Sequence, residues 1–243
     1  MSYPPIYPHG EVEEIGNDIF MVRGSINMKP LVRITRNMAF VRQGNELSLI
    51  NPIRVDERVL KQITSLGNIK RVIRTGALHG IDDPYYVDSF SAEMWSQAGG
   101  SVYTKPNIDV VMGADTALPF DNAQIIEYNH TKEPECALHI ADGNGILLTC
   151  DAIQNYDDYS YNNLLAKLMM PLIGFSKTTL VGPIWLKLMT SDGGSLESDL
   201  RQLLGLKFDR LLSAHGTYLS QGAYLAVEKA IDKAFASASR RNR

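Results

Sequence analysis

Short apolar runs with the length and composition of β-strands dominate the first two thirds of the chain. They are NDIFMVRGSI, NMAFVRQGNELSLINPI, IKRVIRTG, SVYTKP, AQIIEYN, ECALHIAD, ILLTCD and, near the end, FDRLLSAH. Gln43, Gly44 and Asn45 predict a tight hairpin inside the second run, and Asn144-Gly145 predicts another between ECALHIAD and ILLTCD. The pattern predicts a protein rich in β-sheet.

Helical spacing appears between these runs and takes over in the last third. Asp56 opens DERVLKQITSLG, in which Val59, Leu60 and Ile63 share one helix face and Gly67 is the expected stop. We also predict helix in the second half of DDPYYVDSFSAEMWSQAGG, and in YNNLLAKLMM, SLESDLRQLLGL and AYLAVEKAIDKAFASAS. A β-rich stretch followed by βα units, twice over, predicts two sheets packed face to face with helices outside. This is a four-layer α/β/β/α sandwich.

Length and composition favour one domain over residues 1–243, with a Pro-rich lead at 1–10 and a basic tail at 237–243. The net charge of −3 argues against nucleic-acid binding, which usually needs a basic face. The N-terminus lacks the basic start and apolar stretch of a signal peptide. Cys136 and Cys150 are too few for a disulfide framework. We therefore expect a cytoplasmic protein with free core thiols.

Isolated acids and histidines stand where several predicted strands end. They are His79 and Asp83 in LHGIDD, His130 in IIEYNHT, Asp151 in ILLTCDAIQN and His215 in LLSAHGT. Singly, each has an ordinary explanation: a lone histidine is often structural, and Asp83 before Pro84 is equally typical of a helix N-cap. Together they favour a site, because imidazoles and carboxylates that converge on one rim are what a divalent metal needs.

The segment that follows IKRVIRTG resembles a known motif. In the metallo-β-lactamase fold superfamily the central motif is H-x-H-x-D-H, set in the loop after a strand. The stretch from His79 to Pro84 is similar to it, with His79 at the first histidine and Asp83 at the aspartate. Ile81 and Pro84 stand where the second and last histidines should be. The motif is therefore incomplete.

Three later segments extend the resemblance over most of the chain. The turn around His130 resembles the one that bears the third metal histidine. The strand-hairpin-strand ECALHIADGNGILLTCD resembles the pair leading to the aspartate that bridges two metals, which corresponds to Asp151. The segment around His215 resembles the closing histidine segment. The resemblance implies the same sandwich fold and a metal site with a reduced ligand set.

The resemblance also implies how the ligands are shared. One metal would keep His79, His130 and part of Asp151. A second would keep Asp83, His215 and the other part of Asp151. Because two motif histidines are missing, we expect one divalent metal, zinc before iron or manganese, held by three protein ligands with an open position, or else a weakly held pair of metals.

The implied activity is hydrolysis of an ester, thioester, lactone or phosphoester bond of a small molecule by a metal-bound hydroxide. Asp83 would complete the metal shell or orient and deprotonate the water, and His215 would ligate or act on the substrate. The alternative is a non-catalytic or metal-depleted member of the same fold that binds a ligand or partner. A third interpretation is redox chemistry at an iron pair.

Residues 160–195 resemble the helical insertion that many superfamily members place beside the active site. The apolar tract at 164–189 is interrupted by prolines, glycines and lysines, and no stretch reaches the roughly 20 residues needed to span a membrane. It is expected to wall a pocket for an apolar or aromatic substrate or to form a homodimer contact. Burial of its own helices on the sandwich is an equal alternative.

Overall fold

The first sheet of the computed structural model, which describes residues 3–241, contains the strands of the N-terminal half. Of Lys29 and of residues 237–241 only the backbone is described, so the predicted basic tail lies outside the described side chains. The strands are β1 (Val12–Gly16), β2 (Ile19–Lys29), β3 (Val32–Gln43), β4 (Glu46–Ile50), β5 (Asn68–Arg74), β6 (Glu93–Ser96) and β7 (Val110–Val111). They lie in sequence order, antiparallel from β1 to β4 and parallel from β4 to β7.

The second sheet is built from the C-terminal half. Its strands are β8 (Ala123–Glu127), β9 (Cys136–Ile140), β10 (Ile146–Thr149) and β13 (Arg210–Ser213). Their order is β13-β10-β9-β8, in which β10 and β13 are parallel and the other pairs antiparallel. A separate antiparallel pair is formed by β11 (Ile153–Asn155) and β12 (Thr179–Val181).

Most of the helices cover the outer faces of the two sheets, and the third one lies beside β3. They are α1 (Glu57–Leu66), α2 (Asp83–Phe90), α3 (Leu164–Leu172), α4 (Pro183–Met189), α5 (Glu197–Arg201), which continues into a 3₁₀ turn (Gln202–Gly205), and α6 (Ala223–Arg241). None of the described helices combines the length and hydropathy that a membrane crossing requires.

Strand alternation divides the apolar side chains into three layers. Ile19 and Met21 of β2 point between the sheets, where they pack with residues such as Leu138 and Leu148 of the second sheet. The alternate β2 residues face α1 and α2 on the outside of the first sheet. Residues on the outer face of the second sheet pack against α4, α5 and α6. The predicted four-layer α/β/β/α sandwich is confirmed.

Several local predictions are also confirmed. Gly44 has φ 60° in the turn between β3 and β4, and Gly145 has φ 83° in the turn between β9 and β10. The side chain of Asp56 caps α1 by accepting a hydrogen bond from the backbone N–H of Val59. Cys136 and Cys150 are buried free thiols, as expected.

The prediction of a helix in the second half of residues 82–100 is wrong. The helix, α2, occupies the first half and β6 the second half. Pro84 sits in the first turn of α2, where its fixed φ favours a helix start, and Ser91 ends the helix at φ 51°. Met94 and Trp95 then become buried in the parallel sheet. Tertiary pairing overrides the helix propensity of this segment.

The short strand predicted at SVYTKP is also wrong. No strand is present over residues 101–106, and the side chain of Val102 is 52% exposed. Val102 belongs to none of the apolar clusters of the described core, so packing does not favour a strand here.

Candidate metal site

The topology brings Asp151 and His215 to the same sheet edge. Asp151 follows β10 by two residues and His215 follows β13 by two residues. Since β10 and β13 are parallel, with Thr149 opposite Ser213, the chain leaves both strands at one edge. His79 reaches this edge from the first sheet, in the loop between β5 and α2. The three side chains therefore meet where the two sheets face each other.

One carboxylate lies between two imidazoles. Nε2 of His79 is 3.1 Å from Oδ2 of Asp151, and Nε2 of His215 is 3.1 Å from Oδ1. The two rings are 4.9 Å apart in an edge-to-face arrangement. Asp151 is the most open of the three, with 13% of its side chain exposed. Among the described residues, this set of donor atoms lies within 4.8 Å of one another.

The tautomer of His215 follows from its second contact. Nδ1 of His215 lies 2.6 Å from the backbone carbonyl oxygen of Thr35, which can only accept a hydrogen bond. Nδ1 therefore carries a proton, and in the neutral ring Nε2 presents a lone pair to the carboxylate of Asp151. Two acceptors that face each other at 3.1 Å need a proton or a cation between them.

His79 is held by its backbone and is almost completely buried. Its N–H donates to the carbonyl of Gly76, and its carbonyl accepts from Nη2 of Arg36 at 2.9 Å. Burial lowers the pKa of His79 to about 4, against the opposing charge of Asp151. The ring is therefore neutral at pH 7. Its Nδ1 is buried and has no hydrogen-bond partner in the described part of the chain.

Glu135 fixes the loop that carries Asp151. The backbone N–H groups of Asp151 and Ala152 donate to one oxygen of Glu135, at 3.0 and 2.8 Å. Nε1 of Trp185 donates to the other oxygen at 2.8 Å. Burial, and then the charge of Asp151, raises the pKa of Glu135 well above its ordinary value. This acid ties the loop to helix α4.

The charge of Asp151 is favoured by its neighbours. Burial alone would raise the pKa of this carboxyl group. The contacts with the imidazoles of His79 and His215, either of which donates to the carboxylate when its Nε2 carries a proton, outweigh burial and hold the pKa of Asp151 well below the ordinary value. Asp151 is therefore a carboxylate at neutral pH, as a metal ligand must be.

A second group of donors shares Asp151 and is less suited to a metal. It consists of Glu135, Cys150 and Asp151. Burial raises the pKa of the Cys150 thiol well above its ordinary value, whereas a metal binds the thiolate. The oxygens of Glu135 already accept three hydrogen bonds.

The structure does not bring Asp83 into the cluster of His79, Asp151 and His215. Asp83 is fully buried, and its Oδ2 accepts a 2.7 Å hydrogen bond from Nε of Arg74. Burial raises the pKa of Asp83 to about 6 despite the opposing effect of Arg74. The metal-ligand and proton-transfer roles of Asp83 stay predictions.

His130 also lies outside the cluster. Its side chain is 62% exposed, and Nδ1 is 2.9 Å from Oδ1 of Asp199. The backbone N–H of His130 donates to the other oxygen of Asp199 at 3.0 Å. The role of His130 as a metal ligand therefore also stays a prediction.

Sequence reasoning missed Arg36 and Glu135, whose side chains hydrogen-bond to the backbone of His79 and Asp151. Arg36 lies inside β3, just before the apolar run that begins at Met38, and is 2% exposed, and Glu135 directly precedes the fully buried strand β9. A charged residue inside or beside a buried strand needs a partner, and this was the available signal.

Known structures share this architecture. The crystal structure of VMB-1 is 10% identical, covers 96% of this chain and 100% of its own, and has a TM-score of 0.67. The mono-zinc form of the metallo-β-lactamase FIM-1 from Pseudomonas aeruginosa is 12% identical, with coverages of 95% and 98% and a TM-score of 0.64. A metallo-β-lactamase from Hirschia baltica is 13% identical, with coverages of 92% and 98% and a TM-score of 0.61.

The sequence comparisons give no match. No protein-family model matches the chain, and no curated protein matches it. The structural likeness nevertheless extends over nearly the whole chain. The protein therefore has the metallo-β-lactamase fold, and the resemblance seen in the sequence is confirmed at the level of the fold.

Proposed function

We propose that the protein is a metal-dependent hydrolase that uses one divalent metal held by His79, Asp151 and His215. The observation that carries the proposal is the pair of imidazole Nε2 atoms on opposite oxygens of one buried carboxylate. Two histidines and one carboxylate, with further positions open, form a donor set found in catalytic mononuclear sites.

The spacing of the donors supports the proposal. For bonds of about 2.0–2.1 Å, adjacent ligand atoms in a metal shell lie about 3–3.4 Å apart. The two N–O distances of 3.1 Å fall in this range. A cation would also remove the repulsion between the lone pair of His215 and the carboxylate of Asp151. Zinc fits this donor set, as do iron and manganese.

A bound metal would supply Lewis acidity, which makes water an effective nucleophile near neutral pH and polarises a carbonyl or phosphoryl oxygen. The chain supplies the positioning. Thr35 orients the ring of His215, Glu135 fixes the loop of Asp151, and Arg36 holds the backbone at His79. We propose an ester, thioester, lactone or phosphoester of a small molecule as the substrate.

Elemental analysis of tag-free protein purified without chelator tests the proposal. The His79→Ala and His215→Ala variants remove donors, and His130→Ala is the matched control that removes an exposed imidazole. We expect about one equivalent of metal in the wild type and in the control, and less than about a tenth in the two site variants. Metal that survives in the site variants, or is lost only from His130→Ala, would contradict the three-residue site.

Activity is tested on the same four proteins. Chromogenic esters, thioesters, lactones and phosphodiesters cover the proposed bond types. Hydrolysis that follows the metal content, and that a chelator abolishes and the metal restores, is the expected result.

The second candidate function is a non-catalytic member of the fold. It is favoured by one observation: each oxygen of Asp151 lies 3.1 Å from an imidazole nitrogen, and a proton on Nε2 of His215 would satisfy its contact with the carboxylate as well as a cation would. Metal-free wild-type protein that takes up no zinc, iron or manganese would favour this candidate over the hydrolase.

A further inference from the structure

Helix α3 exposes most of its apolar surface. Within it, Ala166 and Met170 are the buried residues, four positions apart. Leu164, Leu168 and Leu172 lie along one side and are 75%, 64% and 85% exposed. A helix this apolar normally buries a much wider stripe.

The tip of the β2–β3 hairpin adjoins α3 and adds to the exposed surface. Met28 and Leu31 are 62% and 73% exposed. The side chain of Asn163, which caps α3, donates to the carbonyl of Leu31, and its backbone N–H donates to the carbonyl of Arg33. We call the surface formed by Met28, Leu31, Leu164, Lys167, Leu168 and Leu172 the α3 face.

The sequence on both sides of the α3 face is rich in basic residues and poor in acids. Between Asp158 and Asp192 the sequence contains Lys167, Lys177 and Lys187 and no acid, although the whole chain has a net charge of −3. All three lysines are exposed. Between Asp18 and Glu46, the stretch that contains the hairpin, five basic residues occur and again no acid, although Arg36 is buried and Arg23 and Arg42 pair with Asp158 and Asp18.

We propose that the α3 face docks on an anionic lipid surface. Exposed leucines beside lysines are the combination that binds the headgroup boundary of a bilayer, because apolar side chains insert while lysines attract anionic headgroups. In a symmetric pair of copies joined through this face, Lys167 would find no acid to pair with, because none of the residues that form the α3 face is acidic. Charge complementarity therefore favours a lipid surface over a second copy. The proposal goes beyond the hydrolase function and does not depend on it.

Vesicle co-sedimentation tests the proposal. The probes are phosphatidylcholine vesicles and vesicles of phosphatidylcholine with 20 mol% phosphatidylserine, at low and high salt. We expect binding to the phosphatidylserine vesicles that weakens with salt. The Leu168→Ser/Leu172→Ser double variant should bind at least about tenfold more weakly. Lys167→Ala should bind about fivefold more weakly.

Two controls test whether vesicle binding is specific to the α3 face and whether it is independent of the metal site. Leu225→Ser on α6 removes a leucine that is 58% exposed and lies outside the α3 face, and it should bind like the wild type. Asp151→Asn should also bind like the wild type, because docking does not use the metal. Circular dichroism and thermal melts confirm that the variants fold.

Three results would overturn the proposal. The first is no binding of the wild type to either kind of vesicle. The second is vesicle binding that the Leu168→Ser/Leu172→Ser variant retains in full. The third is a dimer of the wild type in light scattering that becomes a monomer in the double variant. The last result would assign the α3 face to a second copy of the chain. Loss of metal with intact vesicle binding would affect the hydrolase proposal alone.

Discussion

At the scale of single residues, the site depends on groups whose ionisation is shifted by burial. His79 is the clearest case, because burial lowers its pKa from 6.5 to about 4. The unfolded chain then takes up a proton near pH 6.5 while the folded protein stays neutral at this ring. Acid therefore favours unfolding through His79.

We predict a pH-dependent loss of stability in metal-free protein. Between pH 7 and pH 4, His79 should lower the free energy of unfolding by about 3 kcal/mol, since a shift of one pKa unit corresponds to about 1.4 kcal/mol. Urea titrations of the wild type and of His79→Asn measure this contribution as the difference between their pH profiles. Parallel profiles would show that His79 titrates normally in the folded state.

A second residue prediction concerns Asp83. Asp83→Asn leaves Arg74 buried without a negative partner, and breaking such a pair typically costs about 3–5 kcal/mol. Urea unfolding at pH 7.5, above the pKa of about 6 of Asp83, should show this loss. His130→Ala is the comparison, because its pair with Asp199 is exposed on the histidine side and should contribute about 0–1 kcal/mol. A small effect of Asp83→Asn together with loss of bound metal would instead support the ligand role predicted from the sequence.

At the scale of secondary-structure elements, β3 links α3 to the metal site. Oδ1 of Asn162, just before α3, accepts hydrogen bonds from the backbone N–H and the hydroxyl of Thr35 on β3. The carbonyl of the same Thr35 accepts from His215. The position of the His215 ring is thereby coupled to the start of helix α3.

We therefore predict that Asn162→Ala affects both stability and metal binding. The substitution leaves two buried donors of Thr35 without their acceptor, which should cost about 1–3 kcal/mol in the free energy of unfolding. The affinity for metal should fall because Thr35 can shift away from His215. Unfolding and metal titration of Asn162→Ala are compared with Ser176→Ala, an exposed control. A variant with lower stability but wild-type metal affinity would show that the two are uncoupled.

The secondary-structure elements differ in how far the sequence predicts them. The sandwich follows from the periodicity of β2, β3, β9 and β10, whose residues pack where alternation places them. The order of α2 and β6 could not be predicted, because burial of Trp95 between two parallel strands is a long-range effect. The pairing of Asp83 with Arg74 was equally hidden, since the two side chains meet only after the loop folds back on β5.

At the scale of the whole molecule, the site joins the two halves of the sandwich. His79 comes from the first sheet, and Asp151 and His215 come from the second. Convergence on one edge could be predicted from strand ends. Which of the five predicted residues meet there could not, because it depends on loops whose paths the sequence pattern does not define.

A metal held across this junction should stabilise the whole fold. At a free metal concentration of about 100 times the Kd, binding adds about 2.7 kcal/mol to the free energy of unfolding. For a domain of this size, that corresponds to a rise in Tm of about 5–10 °C. Thermal melts of chelator-treated protein, with and without added zinc, measure the shift. Asp151→Asn removes the shared carboxylate and should show no shift, whereas Leu225→Ser should respond like the wild type.

Because the ligands come from both sheets, hydrogen exchange should slow on metal addition in the loop before α2 as well as in the loops after β10 and β13. Protection confined to the second sheet would mean that His79 does not bind the metal, and the proposed site would then lose its link to the first sheet.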